Sequence, residues 1–336
     1  MKKLSFGIDI GGINTAFGLV DEAGEIFGES SISTCKFPNY DDYGPYIKTL
    51  CTAMQELLST LEFEYEIVGI GIGAPNASYH SGCIEQPANL WKYQPNNVGL
   101  NEEDRIFCIT RDVNAYFPKV KHIAITNDAN AATIGEMIFG NAKGMNDFIM
   151  ITLGTGLGSG FVSNGEMIYG HDGFAGEFGH VNVERGGRMC GCGRKGCLEA
   201  YVSATGIKRT AFELMATTNT PSELRDIPFS QFDSIMVSKA AKNNDPLALE
   251  IFRYTGEILG RALADVTTVT SPEAIILFGG LAKAGELIFE PTKRYMEENM
   301  MATFRNKVKL LPSGIQDKNT AVLGAAALAW QLIESE

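Results

Sequence analysis

Nothing along this chain concentrates positive charge. Its 28 Lys and Arg residues face 40 Asp and Glu residues for a formal net charge of −12, and no basic cluster stands out. Nucleic acid and anionic membrane surfaces are therefore poor candidates as partners. An anionic substrate has to be held locally, by backbone N–H groups or by a metal. Also missing is any run of eighteen apolar residues, so no transmembrane helix is expected. The opening Met1-Lys2-Lys3 turns apolar for a few residues, but Asp9 and Gly11-Gly12 interrupt it before a signal peptide can form. No disulfide framework is expected either. The seven cysteines are an odd number, and Cys35, Cys51, Cys83 and Cys108 are scattered singly, which points to a reducing, cytoplasmic location.

What remains describes a globular protein of two α/β domains. Apolar residues make up 45% and charged residues 20% of 336, enough for two cores of ordinary size. Strands are expected over 4–10, 14–20, 25–33, 67–73, 122–126, 148–153, 159–162 and 274–278. Apolar residues at steps of three and four from Ile47 to Leu61 predict a helix, and further helices are expected over 129–139, 199–215, 246–268 and 320–333. Residues 76–121, rich in Asn, Pro and Tyr, follow neither period and are read as irregular, with a loop around Asn89. One plan occurs twice, in the stretches from Gly7 and from Ile151: apolar strand, small-residue turn, returning strand. A duplicated hairpin, each copy at the head of its own domain, is a way to build a nucleotide site. The expected division is 1–126, completed by the terminal helix 319–336, and 127–318, which carries a cysteine-rich loop at 176–199.

Glycine turns after strands point several backbone N–H groups at one anion with no side chain in the way. Gly11-Gly12, Gly154-Thr155-Gly156-Leu157-Gly158 and Gly279-Gly280 are three such turns. None ends in the Lys-Ser/Thr of a P-loop, and none opens a helix as G-x-G-x-x-G. Asp9, just before the first turn, suits Mg²⁺ on bound phosphates, although it could instead cap that turn. Asp128 stands at a strand-to-helix junction, where a carboxylate is either a simple N-cap or a general base. Its place between two glycine turns favours the base.

The densest stretch runs from Gly176 to Glu199. It holds His180, Cys190, Cys192 and Cys197, with nine residues between His180 and Cys190. Four such ligands suit a closed tetrahedral Zn²⁺ site that would stiffen a glycine-rich loop. The spacing is not that of a zinc finger. A metal-free loop of clustered thiols, or a redox pair at Cys190 and Cys192, remains open on spacing alone.

Taken together, Asp9-Ile-Gly-Gly, Gly73-Ala-Pro, Asn127-Asp128-Ala-Asn-Ala, Leu153-Gly-Thr-Gly-Leu-Gly-Ser-Gly, Glu177-Phe-Gly-His180 and Cys190-Gly-Cys-Gly-Arg-Lys-Gly-Cys-Leu-Glu199 resemble the ROK family (repressor, open reading frame, kinase). The likeness runs in order over nearly the whole chain. It implies an actin-like ATPase (ribonuclease H-like) fold with two domains around an active-site cleft. It also implies ATP-dependent phosphorylation of a hexose, glucose first, with fructose, mannose, allose and N-acetylhexosamines as rivals. Asp128 becomes the base, with Gly73, Asn89, Asn127, Glu177, His180 and Glu199 on the sugar. Asp9, Gly11, Gly12, Asn14, Thr15, Gly154, Thr155, Gly156, Gly158, Gly279 and Gly280 face ATP and Mg²⁺. His180, Cys190, Cys192 and Cys197 hold a structural Zn²⁺, and a homodimer or homotetramer is implied. The chain departs from the family at Ile13, where a threonine is usual, which leaves Asn14 or Thr15 to supply a hydroxyl-like contact. It departs again after Asn89, where Leu-Trp-Lys-Tyr replaces Pro-Gly-Trp. A repressor of this family carries a helix-turn-helix ahead of the first strand, and here that strand is expected to begin at Leu4. A catalytically silent sugar sensor is the other non-enzyme alternative.

Overall fold

The computed structural model describes the chain except residues 88–89, 95–96, 98–100, 102–104, 316–318 and 335–336. The expected sugar-loop residue Asn89 therefore lies outside the described residues. Two compact units emerge, one of 1–144, 167–175 and 314–336, the other of 145–166 and 176–313. The first unit runs past the expected boundary at 126 because the helix that opens at Asp128 packs on the terminal helix.

In the first unit, β1 (Lys2–Ile10), β2 (Asn14–Val20) and β3 (Ile26–Ser33) form an antiparallel meander. Helix α1 (Tyr43–Ser59) follows, then β4 (Tyr65–Gly73). The stretch without a readable period contains a small antiparallel sheet of β5 (Ala77–Ser78), β6 (Cys83–Glu85) and β7 (Ile106–Phe107), then α2 (Ile109–Asn114). Its core is a nest of aromatic rings in which Trp91 packs on Tyr43, Tyr46 and Phe107. Rings gathered from separate elements leave no local repeat, which is why the sequence pattern was silent there. Cys83 and Cys108, read as single cysteines, are joined in a disulfide in this region. Strand β8 (His122–Thr126) and α3 (Asp128–Phe139) complete the succession. The sheet order is β3-β2-β1-β4-β8, with β1, β4 and β8 parallel.

The second unit repeats that plan. Strands β9 (Phe148–Leu153) and β10 (Leu157–Ser163) are an antiparallel hairpin followed by β11 (Glu166–Met167). After the cysteine loop come α4 (Ala204–Thr217), α5 (Ser234–Lys242), α6 (Pro246–Thr270), β12 (Ala274–Phe278), α7 (Glu286–Asn299) and β13 (Lys309–Pro312). The order is β11-β10-β9-β12-β13, again with three parallel strands, β9, β12 and β13. The expected helix from Glu199 starts later, at Ala204, because Ser203 caps it by accepting the N–H of Gly206. Helix α7, absent from the expectation, buries Ile288, Thr292 and Met296, a stripe at steps of four that was legible but sits among charged residues.

Helix α8 (Thr320–Glu334) returns to the first unit and lies on β1 and β4. Its alanines permit a close approach, and the strands answer with glycine. A Cβ at Gly7 would penetrate the carbonyl oxygen of Val322, and one at Gly71 that of Ala325. Neither backbone can yield without dislodging the helix from the sheet. Among the described residues, no helix is long and apolar enough to cross a membrane. Replacing Gly71 by Ala is expected to destabilise the first unit by roughly 1–3 kcal/mol or more, the usual scale of overpacking. Urea unfolding followed by circular dichroism reads this, and an unchanged midpoint would show that α8 can shift at no cost.

Candidate functional site

Most of the expected phosphate and proton-transfer residues occupy the carboxyl ends of parallel strands, where open α/β sheets bind ligands. In the first unit, β1 ends at Asp9 and Ile10 and runs into Gly11-Gly12. Its neighbour β4 ends at Gly73, and β8 at Thr126, followed by Asn127 and Asp128. The three ends meet around Gly73. A Cβ there would lie 3.9 Å from Asp9 Oδ1 and 3.8 Å from the Asp128 Cα. The tightest neighbour of such a Cβ would be the Ala131 Cβ at 3.3 Å, so the bare α-carbon lets α3 pack close to the end of β4.

The helix start explains the pose of Asp128. Asn127 is the N-cap, its side chain accepting the Ala129 N–H at 2.8 Å, and Asp128 accepts the same N–H at 2.8 Å. Burial raises the Asp128 carboxyl above its ordinary value, and the Ala129 N–H opposes that shift. Asp9 is pushed from 3.8 to about 6, first by burial and then by the charge of Asp128. Two neighbouring carboxylates that repel each other suit a divalent cation, which compensates both.

The turn after β1 settles the question raised by Ile13. Thr15 is fully buried, and its hydroxyl bonds to Thr34 Oγ1 at 2.9 Å and to Tyr46 OH at 2.8 Å. It is committed to the core, which leaves Asn14 as the exposed polar side chain of that turn. Ile13 itself is 72% exposed.

In the second unit, adjacent parallel strands β9 and β12 end at the other two glycine turns. Gly154 to Gly158 closes through a Gly154 N–H to Gly156 carbonyl bond of 3.0 Å. Gly279 adopts a φ of 101°, and the Leu281 N–H bonds the Leu153 carbonyl at 3.2 Å, tying the two turns together. The Thr155 carbonyl accepts from Thr205 Oγ1 of α4 at 3.2 Å, which ties the Gly154–Gly158 turn to that helix.

The cysteine loop draws its four expected ligands into one group. The ligand atoms of His180, Cys190, Cys192 and Cys197 lie within 4.8 Å of one another. Cys192 Sγ is 3.7 Å from Cys197 Sγ, and Cys190 Sγ is 3.7 Å from His180 Nδ1. A tetrahedron with Zn–S arms of about 2.3 Å has edges of about 3.8 Å, so the donors fit that ion. Burial pushes the Cys190 thiol up to about 12, whereas the backbone N–H of Arg194 lowers that of Cys192. The other ring nitrogen of His180, Nε2, is 3.8 Å from Glu177 Oε2, which places that carboxylate beside the side of the ring turned away from the cysteines.

Glu199 shows a link that its sequence position does not announce. Its Oε1 accepts from the Cys190 thiol at 3.4 Å, and its Oε2 accepts the Leu157 N–H at 3.0 Å. A Cβ at Gly156 would collide with that same carboxylate oxygen. One acid thus joins the cysteine loop to the second glycine turn. Only the glycine content of 154–158 hinted at something pressing on the backbone.

The profile of the ROK family matches residues 5–332 of the chain. The glucokinase of Halalkalibacterium halodurans is 34% identical over 299 residues, covering 87% of this chain and 84% of that protein. The glucokinase of Thermotoga maritima is 32% identical over 336 residues, covering 98% of each. Among solved structures, a ROK family glucokinase from Streptomyces griseus, in complex with glucose and AMPPNP, is 30% identical with a TM-score of 0.75. It covers 98% of this chain and 99% of that one.

The raised Asp9 carboxyl predicts a pH dependence. Between its ordinary value of 3.8 and about 6, the folded chain holds the Asp9 proton more tightly than the unfolded chain does. Its contribution to stability is therefore full below 3.8 and is lost as pH rises through about 6. Without divalent metal, Asp9→Asn is expected to lack that loss and to melt several degrees above the parent chain at pH 7. Thermal melts in EDTA from pH 4 to 7.5 check this, and a variant that melts lower would show that the ionised carboxylate is stabilising.

Proposed function

The chain belongs to the ROK family, and on that premise we propose that it phosphorylates glucose at its 6-hydroxyl with ATP. It is a sugar kinase with the actin-like ATPase fold. The observation that carries the reading is Asp128, a carboxylate just past the end of parallel strand β8, held by a helix N-terminus beside Asp9 and raised above its ordinary value.

Each unit has its own part in the proposal. In the first, Asp128 accepts the proton of the sugar hydroxyl, and its raised pKa makes it a stronger base than a solvated aspartate. Asn127 orients the sugar, and Gly11, Gly12 and Asn14 present the first phosphate turn. Asp9 would hold Mg²⁺, which supplies neutralisation of phosphate charge. In the second, Glu177, Glu199 and His180 accept or orient sugar hydroxyls, and Gly154 to Gly158 with Gly279-Gly280 offer backbone N–H groups to the nucleotide. His180 Nδ1, Cys190, Cys192 and Cys197 would hold Zn²⁺, whose part is structural. The likeness to glucokinases at 30–34% identity over most of the chain supports this over a silent sensor. A cytoplasmic location and a homodimer or homotetramer belong to the same proposal.

Asp128→Asn is expected to bind glucose normally and to lose turnover by roughly 10²–10⁴-fold, the scale of a missing general base. A coupled ATP-consumption assay over glucose, fructose, mannose, allose and N-acetylhexosamines compares kcat/KM. Near-normal turnover of the variant would remove Asp128 from the chemistry, and a preference for another sugar would replace glucose. Elemental analysis is expected to find stoichiometric zinc in the purified protein. Cys192→Ser is expected to lose that zinc and to weaken glucose binding more than nucleotide binding. Equal loss of both would mean the metal supports the whole unit.

A further inference from the structure

Ser159 is the third residue of β10 and directly follows the second glycine turn. It is 6% exposed, and its hydroxyl is spent on one short stretch of chain. The Oγ donates to the Gly176 carbonyl and accepts the Phe178 N–H at 3.1 Å. The residue between those two backbone groups is Glu177. One hydroxyl therefore grips the peptide on both sides of the acid, whose own side chain points out beside His180 Nε2 at 3.8 Å.

Two residues earlier on the same strand, the Leu157 N–H holds Glu199 at 3.0 Å. Leu157 and Ser159 alternate with Gly158, so the first three residues of β10 carry both glutamates. The same residues form the far side of the Gly154–Gly158 turn, which closes on itself through the Gly154 N–H and the Gly156 carbonyl. A ligand that orders this turn orders the strand start, and the strand start holds the two acids. Other contacts to the Glu177 segment follow the same line. The Gly179 backbone lies so near Leu157 that a Cβ would strike the Leu157 carbonyl, and a Cβ at Gly176 would lie 3.2 Å from that of Ser159.

We propose that Ser159 is a positioning residue for Glu177, and that through it the nucleotide turn and the sugar acceptors of the second unit are thermodynamically coupled. It touches neither substrate. The proposal rests on the kinase reading above, which makes Glu177 a sugar acceptor and the glycine turn a phosphate site. Coupling of this kind is reciprocal: a nucleotide that tightens sugar must itself be tightened by sugar to the same degree.

Titration calorimetry of glucose, with and without AMPPNP and Mg²⁺, tests it on the whole chain. In the parent protein AMPPNP is expected to tighten glucose by about five-fold or more, the lower end of usual coupling. Ser159→Ala is expected to weaken glucose alone by about ten-fold, as for a lost buried hydrogen bond, and to cut the coupling below about two-fold. AMPPNP measured alone should be unchanged within about two-fold, a selectivity that general loosening of the unit would not produce. Ser159→Thr, which keeps the hydroxyl, is expected to retain the coupling. Undiminished coupling in Ser159→Ala, or equal loss of glucose and AMPPNP affinity, overturns the proposal. A parent protein that binds no hexose overturns the kinase reading together with it, whereas parent binding with an indistinguishable Ser159→Ala overturns this proposal alone.

Discussion

A chain with a net charge of −12 that handles phosphate must do so with its backbone, and the backbone offers free N–H groups where parallel strands end. That constraint explains why glycine follows β1, β9 and β12, and why the acids of the first unit cluster at the ends of β1 and β8. It also explains the repeated plan. A hairpin with parallel strands beside it places a tight turn at the same sheet edge as the neighbouring strand ends, and both units use this order. Bulk is withheld wherever the backbone must be reached. Gly73 leaves room for Ala131 of α3, and Gly156 leaves room for Glu199.

The proximity that suits the two acids to a shared cation also strains them. Asp9 is partly buried beside Asp128, and both carboxyls are held above their ordinary values. Such an arrangement persists because the surrounding fold is rigid. In the first unit that rigidity comes from α8 lying against β1 and β4 at a distance only Gly7 and Gly71 permit. In the second it comes from the cysteine loop, where Glu199 and Ser159 bind the loop to β10. Close packing thus lies beside the proposed catalytic groups, consistent with a site whose geometry has to be held within fractions of an ångström.

Much of this was legible beforehand, for reasons that differ by element. Strands such as Asn14–Val20, His122–Thr126 and Phe148–Leu153 appear at their expected bounds, because short apolar runs closed by glycine or Asn-Asp are local signals. The four cysteine-loop ligands also come together as their clustering suggested. The stretch around Trp91 was illegible because its core is aromatic and non-local. Helix α7 was missed because its buried stripe is interrupted by charge. Cys83 and Cys108 stand 25 residues apart, and no spacing rule joins them.

The sequence by itself determined the family, the paired hairpins, the glycine turns and the identity of the acids, since each is written in residues close together along the chain. Tertiary structure decided how those residues are used. It turned the Thr15 hydroxyl into the core against Thr34 and Tyr46. It aimed His180 Nδ1 at Cys190 and Nε2 at Glu177, and it set Glu199 on the Leu157 N–H and Ser159 around Glu177. Those assignments depend on side-chain direction and on the approach of segments about ten to forty residues apart, which local periodicity does not encode.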